Sequence, residues 1–175
     1  MNSMHLRHHE PLLRPLVRED VAIIESWPDY PAEFNELNYA LRKDGWLAEF
    51  GRRPDTWIYA VEDAGNLIAF TILATTAPGE AEFRIALRAD KIGQGLGRTI
   101  TIDTLAKGFD ECGLLRIHLI VRKNNRRAIE LYQRLGFTHQ GECCKTVNNQ
   151  PTDFLLMDLP YESHESFIAG SHLGC

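Results

Sequence analysis

Asp90-Lys91-Ile92-Gly93-Gln94-Gly95-Leu96-Gly97-Arg98 is the stretch that decides how this chain is read. Glycine recurs at 93, 95 and 97. Ahead of it, Phe83, Ile85 and Leu87 alternate with Arg84, Ala86 and Arg88, the period of a strand. Behind it, Leu96, Ile100, Leu105 and Phe109 share one helical face that ends near Gly113. Glycine lets the backbone approach a ligand closely. The unpaired amides and dipole of a helix's first turn favour an anion there. A phosphate-bearing ligand is therefore expected at residues 93 to 98, against the plainer alternative of a glycine turn. Two familiar phosphate motifs are excluded. A G-x-G-x-x-G begun at Gly93 meets Arg98, and one begun at Gly95 meets Ile100. No Gly-Lys-Ser/Thr string closes a P-loop.

Outward from the loop, Asn125-Arg126-Arg127-Ala128-Ile129-Glu130-Leu131-Tyr132-Gln133-Arg134-Leu135-Gly136-Phe137 reads as a short helix closed by a glycine cap. Ala128, Leu131, Tyr132 and Leu135 are spaced as one buried face. The loop together with N-x-x-A-x-x-L-Y-x-x-x-G-F resembles the GNAT acyltransferase superfamily over roughly residues 12 to 159. In one respect the loop departs from the family's Gln/Arg-x-x-Gly-x-Gly/Ala: Ile92 occupies the Gln/Arg position. That weakens one pyrophosphate contact and leaves the amide cradle.

Composition fits a globular protein. The chain has 175 residues, 44% hydrophobic and 25% charged, enough for one domain with a full core. No apolar run is long enough for a membrane span, and no apolar signal core opens the chain, so a cytoplasmic protein without a membrane partner is expected. Cys112, Cys143, Cys144 and Cys175 do not form a disulfide framework and are expected as free thiols. Net charge is −5, but unevenly spread. Arg84 to Arg134 holds 11 Lys/Arg against 5 Asp/Glu, leaving 8 against 19 elsewhere. A basic segment around the glycine loop suits a polyanionic ligand, and the acidic remainder suits a cationic acceptor and disfavours nucleic acid. Ordinary solvated charge is the competing reading.

Taken in order, residues 1–10 with His5, His8 and His9 read as a flexible, tag-like tail, with no metal site expected in the chain. Leu12 to Val17 is a first strand, and Asp20 caps a helix carrying Val21, Ile24 and Trp27. Pro31 opens a second helix with Phe34, Leu37 and Leu41 on one face, and Arg42 to Asp55 reads as a loop. Two strands, Thr56 to Glu62 and Leu67 to Thr76, flank the turn Asp63-Ala64-Gly65-Asn66. Further strands run at 81 to 88 and Leu114 to Val121. A closing hairpin, Thr138 to Val147 and Thr152 to Leu159, turns at Asn148-Asn149-Gln150-Pro151. Residues 161–175 read as a second flexible tail, leaving one domain over 11–160.

The resemblance implies an α+β fold of the three-layer type: a mixed, mostly antiparallel sheet of roughly six or seven strands with about four helices. It implies an acetyl-CoA-dependent N-acetyltransferase in which a primary amine, small or on a protein, attacks directly in a ternary complex. A homodimer is compatible with it. It gives the phosphates to Gly93, Gln94, Gly95, Leu96, Gly97 and Arg98, and the pantetheine arm to backbone groups of Leu87 and Arg88. Asn125 opens the cofactor-binding helix, and Tyr132 protonates the departing thiolate. A phenol, with a pKa near ~10 against ~8.5 for a thiol, is suited to that task. The base is left between Glu82, Glu80 beside it, His118 and bulk water. Acceptor contacts are sought in Glu33, Glu36, Asp44 and Glu49. Leu119-Ile120-Val121 lacks the glutamate of the ribosomal-protein subclass, which speaks against its N-terminal alanine chemistry. The acidic N-terminal part tilts the acceptor towards a small cationic amine. A non-catalytic acyl-CoA-binding or sensory module of the same fold, in which Tyr132 only packs, is the competing reading.

Overall fold

The computed structural model describes residues 10–171. His5, His8 and His9 lie outside them. The chain runs β1 (Leu12–Pro15), α1 (Arg18–Glu25), a 3-10 helix (Ala32–Leu41), α2 (Trp46–Phe50), β2 (Thr56–Asp63), β3 (Asn66–Ala77) and β4 (Glu80–Leu87). Then follow α3 (Leu96–Ala106) with a π-turn (Lys107–Glu111), β5 (Arg116–Arg122), α4 (Arg126–Arg134), β6 (Thr138–Val147), β7 (Gln150–Pro160) and α5 (Tyr161–Ser171). Seven strands form one sheet in the order β1-β2-β3-β4-β5-β7-β6. Among the described residues only β4 and β5 pair in parallel.

Each face of the sheet buries its own core. One holds Leu73, Phe83, Ile100, Leu105, Ile117, Tyr132 and Leu135, under α3, α4 and α5. The other holds Ile24, Trp27, Tyr30, Leu41, Phe50, Phe70 and Ile72, under α1, the 3-10 helix and α2. Strand alternation sorts the residues: Ala81 and Phe83 go to the first face, Ala86 to the second. The β2–β3 turn places Ala64 and Gly65 at φ 48° and 78°, the doubly left-handed geometry of a tight hairpin.

Four expectations change. Asp20 is not the N-cap residue of α1 but its third residue, and caps the helix from there: its carboxylate accepts the N–H of the N-cap Val17 at 2.9 Å, as in a capping box, and meets the Arg14 guanidinium. The helix after Pro31 is a 3-10 helix. The span read as a loop, 42 to 55, contains α2, whose Leu47 and Phe50 are buried. Residues 161–171 are not a loose tail: α5 continues directly from β7, and His164 is buried against the Phe109 ring at 4.7 Å.

The parting of β4 and β5 prepares the site. They pair only at Glu80–Arg116, Ala81–Ile117 and Glu82–His118. Beyond that point β5 pairs with β7 alone, up to Arg122–Phe154, while β4 stays with β3 up to Leu87–Ala69. The two strands fork, and the fork opens towards α4 and the glycine loop.

Candidate functional site

The Arg88 amide donates to Ile68 O at 2.8 Å, which makes residues 68 and 88 a hydrogen-bonded pair of the antiparallel ladder. Alternation then turns the backbone N–H and C=O of Ile85 and Leu87 away from β3, into the fork. The Leu87 carbonyl is met there by the Tyr30 hydroxyl, which donates to it at 2.6 Å. The Ile85 and Leu87 amides are left aimed at the opening.

At the fork's mouth the glycine loop bends into α3. Gly93 and Gly95 hold φ 88° and 78°, where a side chain is strained, and Gly95 is the N-cap. Among the described residues the amides of Gly93, Gln94, Gly95, Leu96 and Gly97 donate to no protein group, while the Arg98 amide closes a turn on Gly95 O at 3.2 Å. Five amides are thus available to an anion, together with the helix dipole. The Gln94 side chain turns back and donates to Asp90 O at 2.7 Å.

A groove of about 460 Å³ runs from this loop into the fork, between Gly93, Gly95, Gly97 and Arg98 on one side and Asn125, Arg127, Ala128 and Tyr132 on the other. It meets a smaller chamber of about 120 Å³ on the sheet face covered by the 3-10 helix and α2. Tyr30, Ile85, Asn125 and Tyr132 line both spaces, so Tyr132 stands at their junction. Its ring packs edge-on against Phe83 at 6.3 Å, and its hydroxyl makes no hydrogen bond among the described residues. Burial pushes that phenol above its ordinary pKa, so it stays protonated at neutral pH. Asn125 caps α4, its Oδ1 accepting the Ala128 amide at 3.2 Å.

Not every expected residue joins this group. Arg88 spends its amide on Ile68 and its carbonyl on Lys91, and its guanidinium on Asp90 and Leu67 O. Its amide is therefore not available to a pantetheine arm. Glu82 and His118 are cross-strand neighbours at the last paired rung, and neither lines the groove or the chamber. His118 Nε2 lies 2.7 Å from Thr76 Oγ1, and burial lowers its pKa. Glu82 lies 2.5 Å from the Arg84 guanidinium, without hydrogen-bond alignment. Glu80 pairs with Arg116 at 2.7 Å. Of the acidic residues considered for the acceptor, Glu36 is held by Arg122 at 3.0 Å and Glu49 faces Arg53 at 3.7 Å. Glu33 and Asp44 are exposed.

Two lining residues were not foreseen. Arg127 reaches Gly93: its Nη1 would lie 3.7 Å from a Cβ placed there, and it forms no ion pair among the described residues. Tyr30 anchors the 3-10 region to Leu87. The sequence signal for Arg127 was present in the Arg126-Arg127 pair beside Asn125; that for Tyr30 was not, since its partner is 57 positions away. Among the described residues no group of three or more His, Cys, Asp and Glu could hold a metal ion. No helix among them is long and apolar enough to cross a membrane. Cys112, Cys143 and Cys144 are free thiols.

Residues 21–137 match the model of the acetyltransferase (GNAT) family. The chain is 29% identical over 147 residues to the spermidine N(1)-acetyltransferase of Escherichia coli (strain K12), covering 77% of this chain and 76% of the other. It is 34% identical over 101 residues to the ribosomal protein bS18-alanine N-acetyltransferase of the same organism, covering 55% of this chain and 66% of the other. Among solved structures it superposes on the spermidine/spermine N-acetyltransferase of Vibrio cholerae, solved in complex with manganese ions. The TM-score is 0.72 at 25% identity, over 90% of this chain and 96% of that one.

Proposed function

The chain belongs to the acetyltransferase (GNAT) family, and from that premise we propose how its residues divide the work of moving an acetyl group from acetyl-CoA to a primary amine. The glycine loop and α3 hold the pyrophosphate through the free amides of residues 93 to 97. Arg98 and Arg127 add charge on either side. The donor set suits the group: unspent amides, a helix N-terminus and unpaired guanidiniums are what a diphosphate requires. The pantetheine arm lies in the fork, where the Ile85 and Leu87 amides replace the missing β5 neighbour. Acetyl-CoA supplies an activated carbonyl and a thiolate leaving group.

The chain's own residues then do three things. An amide of β4 faces the carbonyl oxygen and stabilises the charge that develops there. The Tyr132 hydroxyl, protonated and without a protein partner, gives the departing sulfur a proton. Both substrates are held together across the junction, so that proximity supplies much of the acceleration and no covalent enzyme intermediate is needed. The incoming amine loses its proton to water. Glu82 and His118 stand on the acceptor face of the sheet but are engaged by Arg84 and Thr76. The relatives' acceptors, spermidine and an N-terminal alanine, are the first amines to offer. Ile120 lines the chamber where the ribosomal-protein subclass carries its glutamate, which argues against that acceptor.

The observation that carries this reading is Tyr132 at the junction with its hydroxyl unspent. A thiol-release assay over an amine panel tests it. In Tyr132→Phe, turnover falls at least about tenfold, roughly 1.4 kcal/mol of barrier, while coenzyme A binding measured by calorimetry persists. Unchanged turnover removes Tyr132 from the mechanism.

A further inference from the structure

The chamber beside Tyr132 is walled by two guanidiniums, Arg84 of β4 and Arg122 of β5, and no Asp or Glu lines it. The carboxylates that balance them sit elsewhere. Glu36 holds Arg122 from the 3-10 helix, and Glu82 meets Arg84 from one rung back along β4. Arg122 is only 8% exposed, and two of its donors are taken by the Glu36 side chain and carbonyl. Arg84 differs. It lies over the Trp46 ring at 5.0 Å and the Phe50 ring at 4.8 Å, which fixes its plane. Yet it makes no aligned hydrogen bond among the described residues, and its Nε is buried without a partner. The Trp46 indole N–H, in the same wall, is likewise buried without one.

Arg84 Nη2 already meets the Glu82 carboxylate at 2.5 Å, but its Nε, held in plane by the two rings, and the Trp46 indole N–H are unspent, a donor pair suited to one small planar anion. The chamber is far smaller than the ~300–1,000 Å³ of ordinary ligand pockets, so it admits a small head rather than a long chain.

We propose that the acceptor is a small amine that also carries a carboxylate, of free amino-acid type, with Arg84 as the residue that selects it. The carboxylate accepts from Arg84 and Trp46, and the amine is left facing Tyr132. This rests on the acetyl-transfer reading for the place of the acceptor. It also reverses the cationic acceptor that the acidic N-terminal part suggested.

The test uses the full chain and matched probes: free amino acids, their carboxamides, the corresponding decarboxylated amines, and spermidine. Thiol release is followed from acetyl-CoA, and acceptor binding is followed separately by calorimetry with coenzyme A present. The expected result is a kcat/KM at least tenfold higher for the carboxylates than for their amides or decarboxylated partners. In Arg84→Gln that preference is lost with the acetyl-CoA KM unchanged, and Arg84→Lys recovers part of it. Spermidine or the decarboxylated amines turning over as well as the acids would overturn the proposal. So would a preference that survives in Arg84→Gln. Carboxylate binding that depends on Arg84 but comes with no thiol release from any acceptor would uphold the carboxylate site and sink the transfer reading.

Discussion

Ile92 and Arg127 divide a task that one residue performs in the family's usual loop. Ile92 lines the groove but has no polar atom to offer a phosphate. Arg127, the second residue of α4, places its guanidinium beside Gly93. Arg127→Ala is therefore expected to weaken coenzyme A binding about fivefold, near 1 kcal/mol, with turnover at saturation little changed. Ile92→Arg in that background should restore part of the loss, and calorimetry at low and high salt should show the wild-type advantage shrinking with salt. Equal affinities would remove Arg127 from the phosphate site. At this scale the sequence was legible where a residue's role lies in its own backbone or cap, as with Gly95 and Asn125. It misled where the role depends on what a neighbour has already taken. Arg88 looks available until the β3 register assigns its amide to Ile68, and Glu82 looks free until Arg84 is seen against it. Pairings of that kind are set by tertiary packing, which no local pattern records.

Strands and helices were read more reliably than the way two strands separate. The period-two run gave β4, the turn at 63–66 between apolar runs gave β2 and β3, and the motif gave α4. The fork of β4 from β5, which makes the site, has no local signature: it is a difference in where each strand finds its next partner. The short α2 was missed because five residues carry too little periodicity to distinguish a helix turn from a loop. The last helix was missed for a similar reason. Its anchors, Tyr161, His164 and Phe167, are helically spaced, but they lie among polar residues and just after Pro160. His164 gives α5 a pH dependence. Only 3% of it is exposed, and burial lowers its pKa, with Asp110 and Glu165 opposing. The fold thus holds the neutral ring. Above the unfolded value of about 6.5 both states are neutral; below it the unfolded chain takes up a proton that the fold resists, and stability falls by at most about 1.4 kcal/mol per pH unit. His164→Phe should flatten the fall in denaturant midpoint between neutral pH and about pH 5, leaving the share that His118 contributes. An unaltered slope would show that α5 docks without regard to this proton.

As a whole, the molecule is a seven-stranded sheet with a separate core on each face and a fork that joins the two sides. In the proposed function one side presents free amides and arginines to an anionic cofactor, and the other presents a small chamber to an amine. The basic segment from Arg84 to Arg134 agrees with the first. The acidic remainder suggests a cationic amine for the second, but two of its carboxylates are already engaged, since Glu36 is held by an arginine and Glu49 faces one. Net charge by segment reports the far field, and pairing decides what a chamber's wall presents. The central claim is geometric: one ligand spans the glycine loop and the fork, with its sulfur at Tyr132. A crystal structure with coenzyme A tests it most directly. The account predicts the pyrophosphate on the amides of residues 93 to 97 and the thiol sulfur within hydrogen-bond reach of the Tyr132 hydroxyl. A pyrophosphate seated elsewhere, or a sulfur ending away from that hydroxyl, would contradict it.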